Sequence, residues 1–341
     1  MSDGYWGNRH VAEALWEMAA RNRVAQTLLF SGPEGVGKAT LARRLGARLL
    51  GHPDLIEKDD LSAPENRETI ADRERWPAEK RNEDPLMFSS HPDFVTFAPD
   101  GPLRQISIQQ TRLLKELAQY LPHHGSRRVF LIDGVDRAND QAANSLLKTL
   151  EEPPDHLIVI LTAANAYDLL PTIRSRSVPF FFAPLSPEEM RQFVAARGLD
   201  APERRIALAA GSPGLAASLD LEAHDKRRAA MLTLLKVAAG AAPFAQWIPV
   251  SETIARSKSE KLEYHLKALY ELLRDLLLLT EGGGEIRNLD IRGDLQSLAG
   301  SVSFPWIRKA VAKVDDVTQL VRRNIQKTIA LDALIVALRG E

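Results

Sequence analysis

A chain of 341 residues that is 45% hydrophobic is long enough to bury a sizeable core and to split into two or three domains. Its formal net charge of -1, with basic residues scattered in pairs such as Arg43-Arg44, Arg127-Arg128 and Arg322-Arg323, leaves no polyelectrolyte footprint, so contact with nucleic acid is expected to be partial or shared with partners. The absence of cysteine excludes disulfides and cysteine-ligated zinc, the polar N-terminus is not a signal peptide, and the apolar stretches fall short of the ~20 residues of a membrane span. A cytoplasmic protein with no membrane segment is expected.

In chain order, Val11, Leu15, Met18 and Ala19 recur at helical spacing and predict an amphipathic helix over residues 9–22. The apolar run Leu28-Leu29-Phe30 then leads into Gly-Pro-Glu-Gly-Val-Gly-Lys-Ala-Thr at residues 32–40, and Leu41, Leu45 and Leu49 form one stripe of a following helix. Strand, glycine-rich turn and helix aim several backbone N–H groups at one spot, where Lys38 adds a charge, so a nucleotide phosphate is the expected guest. One position departs from that chemistry: Ala39 stands where a hydroxyl normally meets Mg2+.

Residues 51–90 shift in composition, with eleven acidic against six basic side chains and few apolar anchors beyond Trp76 and Met87, which predicts an exposed insertion. Phe94, Val95 and Phe97 suggest a short strand, and His91 before it a loop cap. Ser107 and Gln110 form a capping-box pattern ahead of a leucine-rich helix. Val129-Phe130-Leu131-Ile132-Asp133 is an apolar strand ending in a carboxylate, the form of a strand covered on both faces of a parallel sheet. A helix over 139–152, stopped by Pro153-Pro154, a strand over 157–161, a short helix over 169–175 and a strand over 178–182 complete the alternation. A doubly wound α/β sheet is predicted, with ligand at the carboxyl ends of its strands, where the loop and Asp133 both fall.

Beyond Pro184 the strand signal ends. Ser186-Pro187-Glu188-Glu189 starts a small helical region, and helices are predicted over 232–236, 254–281 and 317–338. In the last, Leu320, Val321, Ile325, Leu331, Leu334, Ile335 and Leu338 share an apolar face that serves equally as a domain core or an oligomer interface.

Asp133 is placed to hold a metal ion through water, and the next position in ATPases of this type carries the carboxylate that orients the attacking water. Here it is Gly134, and losing a positioned base costs about 100- to 10,000-fold in rate. The run Ser145-Leu146-Leu147-Lys148-Thr149-Leu150-Glu151-Glu152-Pro153-Pro154, with the phosphate loop, His-Pro-Asp-Phe at 91–94 and Ser-Arg-Ser at 175–177, resembles bacterial clamp-loader subunits of the AAA+ class, above all the delta-prime type of DNA polymerase III. The resemblance is strong over residues 7–219 and reaches the helical tail only in pattern, through Asn324 and the leucines after it.

That resemblance implies an AAA+ parallel-sheet P-loop domain (1–183, with 51–90 inserted), an all-helical lid (184–222) and an all-helical collar domain (223–341). It implies that Arg176 is an arginine finger reaching a neighbouring subunit's nucleotide, against the plainer role of a helix-end arginine satisfying carbonyls. It places the sensor-1 polar group at Asn165 or Thr162, and puts Gly214 where active subunits carry a sensor-2 arginine. Relatives with a zinc cluster carry it within 51–90, so no zinc is expected here. With Ala39, Gly134 and Gly214 together, the implied site can take ATP or ADP through Gly32, Gly35, Gly37, Lys38, Ala39, Thr40 and Asp133, with an impaired Mg2+ contact and no hydrolysis of its own. The implied partners are gamma/tau and delta subunits in a hetero-pentameric ring, the sliding clamp, and primed DNA through the complex. Two other readings stay open: a self-sufficient gamma/tau-like ATPase using Asp136 and Thr40, and a P-loop kinase of small molecules.

Overall fold

The computed structural model describes residues 5–257, 261–321 and 326–339. The chain divides into two compact units, 1–199 with 209–217, and 200–208 with 218–341. The first is built on a six-stranded sheet of β1 (Thr27–Ser31), β2 (Met87–His91), β3 (Phe94–Phe97), β4 (Arg128–Ile132), β5 (Leu157–Ala163) and β6 (Val178–Phe181), in the order β2-β3-β4-β5-β1-β6. All pairings are parallel except β2 with β3.

The central strands explain the architecture. Every residue of β1, β4 and β5 is buried, and successive side chains enter opposite apolar layers: Leu157, Val159 and Leu161 join one, Ile158 and Ile160 the other. The helices Ile108–Ala118 and Asp140–Glu151 cover the first layer, and Arg9–Ala20 and Lys38–Leu50 the second. Predicted helix starts are present: Ser107 and Gln110 form a reciprocal capping box, Ser186 and Glu189 do the same for the helix Pro187–Ala196, and Asn139 accepts from the Ala142 amide.

Residues 51–90 differ from the plain exposed insertion that composition suggests. Much of their surface is exposed, but they form the helices Pro53–Ile56, Pro64–Arg73 and Ala78–Glu83 before β2, an antiparallel edge strand with no sequence signal. Ile56, Ile70 and Leu86 are buried, and Arg73, 4% exposed, forks onto Asp100 at 3.1 and 2.8 Å and reaches Asp84 at 3.1 Å. Arg43, buried on the helix Lys38–Leu50, pairs with Glu57 at 3.0 Å and Asp60 at 2.8 Å. Buried arginines thus do anchoring that apolar residues would normally do.

The second unit is helical: Leu221–Ala238, Ile248–Arg256, Leu262–Thr280, Arg292–Ala299, Phe304–Val321 and Lys327–Arg339 pack around Trp247, Leu269, Leu272, Leu276 and Leu331. The Trp247 indole donates to Asp332 at 2.5 Å. The continuous helix expected over 254–281 is instead two helices, because Ser257 (ψ 83°) and Lys261 (ψ 144°) leave helical backbone. The helix expected over 317–338 is likewise the end of one helix and most of another. Leu331, Leu334, Ile335 and Leu338 are buried in this unit's core whereas Leu320 is exposed; Asn324, Ile325 and the Arg322-Arg323 pair lie outside the described residues. No helix among the described residues is long and apolar enough to cross a membrane.

Candidate functional site

The loop after β1 runs over the carboxyl end of the sheet, as its sequence requires, and Gly37 caps the helix Lys38–Leu50. Lys38 turns back on the loop: its ammonium donates to the Gly32 carbonyl at 2.5 Å and to the Pro33 carbonyl at 2.7 Å. Burial lowers its pKa, opposed by the nearby charges of Asp133, Asp136 and Glu34. Thr40 and Ala39 follow on the first turn of the same helix, both half-buried.

Asp133, just past β4, accepts from the Thr162 hydroxyl at 2.5 Å, and Thr162 in turn accepts from the Gly134 amide at 2.8 Å. Desolvation pushes the Asp133 carboxyl above the ordinary aspartate range, against the Thr162 bond and the Lys38 charge. Thr162 is therefore the polar side chain set against Asp133. Asn165 is exposed and instead caps the short turn Ala166–Asp168, accepting from the Tyr167 amide. Gly134 has φ +75°, a left-handed backbone that a glutamate would adopt only under strain. Asp136, two residues on, accepts from the Ala164 amide at 3.2 Å.

Two neighbours crowd the loop from outside. Tyr5 lays its ring against Gly37, where a Cβ would meet it at 3.1 Å, with the Arg44 guanidinium 5.6 Å from the ring centre. Burial raises the Tyr5 hydroxyl's pKa, and among the described residues that hydroxyl has no hydrogen-bond partner. From the other direction, residues 211–215 close on the loop. The Gly214 amide donates to the Gly35 carbonyl at 2.9 Å and the Ser212 hydroxyl to the Glu34 carbonyl at 2.7 Å. A Cβ on Gly214 would stand 2.9 Å from the Gly35 oxygen. The Tyr5 contact has no sequence signature, since Tyr5 and Trp6 are simply aromatics ahead of the first helix; residues 211–215 lie far along the chain, and only the resemblance, through the sensor-2 position at Gly214, pointed to them.

Lys38, Asp133 and Asp136 are thus brought together, while Arg176 bonds elsewhere. It follows the short helix Pro171–Arg174, pairs with Glu151 at 2.8 Å, and donates to the Thr172 carbonyl at 3.0 Å and the Ser175 hydroxyl at 3.3 Å. The carbonyl-satisfying role is therefore present, yet a third of the side chain stays exposed.

As a magnesium–nucleotide site this set is incomplete. Ala39 brings no hydroxyl, Gly134 no carboxylate, and Asp133 is desolvated and already bonded to Thr162. Among the described residues, no three His, Asp or Glu side chains are grouped to hold a metal ion. These residues do not fit a catalytic Mg2+.

A family model described as DNA polymerase III, delta subunit, matches residues 7–186. The chain is 30% identical over 243 residues to DNA polymerase III subunit delta' of Pseudomonas aeruginosa PAO1, covering 69% of each chain. It is 31% identical over 222 residues to the same subunit of Escherichia coli K12, covering 64% of each. Among solved structures, a DNA polymerase III gamma subunit-related protein of Thermotoga maritima MSB8 superposes with a TM-score of 0.50 at 16% identity, covering 95% of this chain and 98% of that one, a likeness of fold. The chain belongs to the DNA polymerase III delta-prime family, and with it to the AAA+ clamp-loader subunits.

Proposed function

We propose that this chain is a non-hydrolysing subunit of the clamp loader, a stator that lends Arg176 to the nucleotide site of an adjacent ATPase subunit. Its partners in this reading are gamma/tau and delta subunits in a five-membered ring that opens the sliding clamp and sets it on primed DNA. The observation that carries it is the closure of residues 211–215 on the loop. Gly214 sits where a sensor arginine would act, and its amide is bonded to Gly35 with no room for a side chain. Ala39, the left-handed Gly134 and the Tyr5 ring against Gly37 point the same way. The loop in this reading is an inherited phosphate cradle, taking ATP or ADP weakly and turning over neither. Arg176, one third exposed, supplies positive charge to a transferring phosphate next door.

A second reading, a self-sufficient ATPase, draws on Asp136, which lies close enough to Lys38 and Asp133 to act on their charge. One experiment separates them: ATP binding and hydrolysis by the purified chain, alone and then with a gamma/tau-type subunit. The stator reading expects turnover only in the mixture. Metal-dependent hydrolysis by the chain alone, abolished by Lys38→Ala, would establish the second.

A further inference from the structure

The ion pair between Arg176 and Glu151 joins two runs that the sequence singled out separately, and Glu151 has no role in the account so far. Glu151 is the last residue of the helix Asp140–Glu151, and Glu152 follows it. A carboxylate there faces the negative end of the helix dipole and is unfavourable for the helix itself. The helix already has Lys148 in its last turn, so Glu151 adds nothing that the helix end requires. What it does meet is the guanidinium of Arg176, Nη2 to Oε1 at 2.8 Å, while Nη1 is spent on Thr172 and Ser175.

Both members are partly exposed, the arginine by 33% and the glutamate by 45%. An ion pair at that exposure is weak and salt-sensitive, and therefore readily exchanged. A guanidinium offers five N–H donors in one plane, and a phosphate oxygen satisfies the same donor as a carboxylate oxygen does. The arginine is held by an anion of its own chain that a phosphate can replace.

Resting on the reading of Arg176 as a finger, we propose that Glu151 is a positioning residue, an electrostatic latch that holds Arg176 on its own subunit until an adjacent subunit's nucleotide phosphate displaces it. Engagement is an exchange of one anion for another at the Nη2 donor, with no bond made or broken covalently. Because the latch competes with the phosphate in the resting state, it raises the ATP concentration needed to engage the finger. It leaves the charge delivered to the phosphate unchanged once the finger is engaged.

The test is the reconstituted loader, with ATP turnover measured against ATP concentration for wild type, Glu151→Gln, Arg176→Ala and the double variant. The latch predicts that Glu151→Gln lowers the KM for ATP about two- to fivefold, the range to which exposed ion pairs convert. Maximal turnover should hold, and the KM difference should shrink as salt is raised. The double variant should behave as Arg176→Ala. A KM that is unchanged or raised by Glu151→Gln, or a fall in maximal turnover, overturns the latch and leaves the finger standing if Arg176→Ala still loses the adjacent site's activity. Unchanged turnover with Arg176→Ala removes the finger and the latch together.

Discussion

The Gly214 amide donates to the Gly35 carbonyl at 2.9 Å, and a Cβ added to Gly214 would stand 2.9 Å from that oxygen and 3.0 Å from the Gly35 Cα. The two glycines thus bring a late segment of the chain onto the phosphate loop at backbone contact distance. Gly214→Arg, the substitution that would write back a sensor arginine, should push this segment off the loop. The overpacking should cost about 1–3 kcal/mol, and ATP hydrolysis by the isolated chain should not appear. Thermal melting reads the first outcome and a phosphate-release assay the second; an unshifted melt with new hydrolysis would show that the contact is not structural.

Gly134 makes a related case. Its φ of +75° is left-handed, while a Cβ there would meet nothing closer than Pro99 at 3.4 Å, so the obstacle to a glutamate is backbone strain rather than space. Gly134→Glu is expected to lose about 1–2 kcal/mol and Gly134→Asn clearly less, since asparagine tolerates this region. Chemical denaturation of the two variants gives the comparison, and equal losses would point to a cause other than the backbone.

The insertion offers a test of its anchoring. Arg73 holds Asp100, whose side chain is only 7% exposed. Arg73→Met leaves that carboxylate buried without its partner, a change that typically costs about 3–5 kcal/mol. Limited proteolysis should then cut within residues 51–90 much faster than in the wild-type chain. An unchanged cleavage rate would mean that Ile56, Ile70 and Leu86 hold the insertion without it.

His91 couples stability to pH. Its ring is 1% exposed, and Nδ1 accepts from the Asp93 amide at 3.1 Å, which requires that nitrogen unprotonated. Burial lowers its pKa; the Asp93 charge acts the other way, and His52 and His124 add to the lowering. The folded state therefore binds a proton less readily than the unfolded chain. Above the unfolded value of about 6.5 both states are neutral and the contribution is fully present. As pH falls below that value toward the depressed folded pKa, the unfolded state takes up the proton first and stability is lost. Melting temperature should drop between pH 7.5 and 5.5, and His91→Asn should flatten that slope; an identical slope in the variant would assign the effect to other groups.

The sheet was legible in the chain because its central strands are almost wholly apolar. Runs such as 129–132 and 157–161 have no other stable place than between two covering layers, and the capping boxes at Ser107 and Ser186 marked helix starts to the residue. The loop and Asp133 stood out as candidates for a different reason, as a fixed order of residue types around a strand and a helix, whereas Arg176 was singled out only through the family resemblance of Ser175-Arg176-Ser177. What escaped depends on partners distant in sequence. The edge strand β2 carries no alternation and exists through pairing with β3. The insertion is held by Arg73, which composition counts as a surface residue. The break near Ser257 falls in the polar run Ser-Lys-Ser-Glu-Lys at 257–261, which the predicted helix ran through, and the last helical stretch is interrupted although its apolar period continues. The closure of Tyr5 on the loop joins a segment roughly 30 residues away from it, beyond the reach of any local pattern, and that of Gly214, roughly 180 residues away, was signalled only by the resemblance and not by periodicity.

The central claim, that chemistry has moved from this chain's own loop to Arg176, is tested most directly by ATP turnover of the reconstituted loader carrying either Lys38→Ala or Arg176→Ala. The account predicts that Lys38→Ala leaves turnover at the wild-type level. Arg176→Ala should remove activity at the one adjacent site, by about 1,000-fold or more there. The reverse pattern, turnover lost with Lys38→Ala and kept with Arg176→Ala, would contradict it.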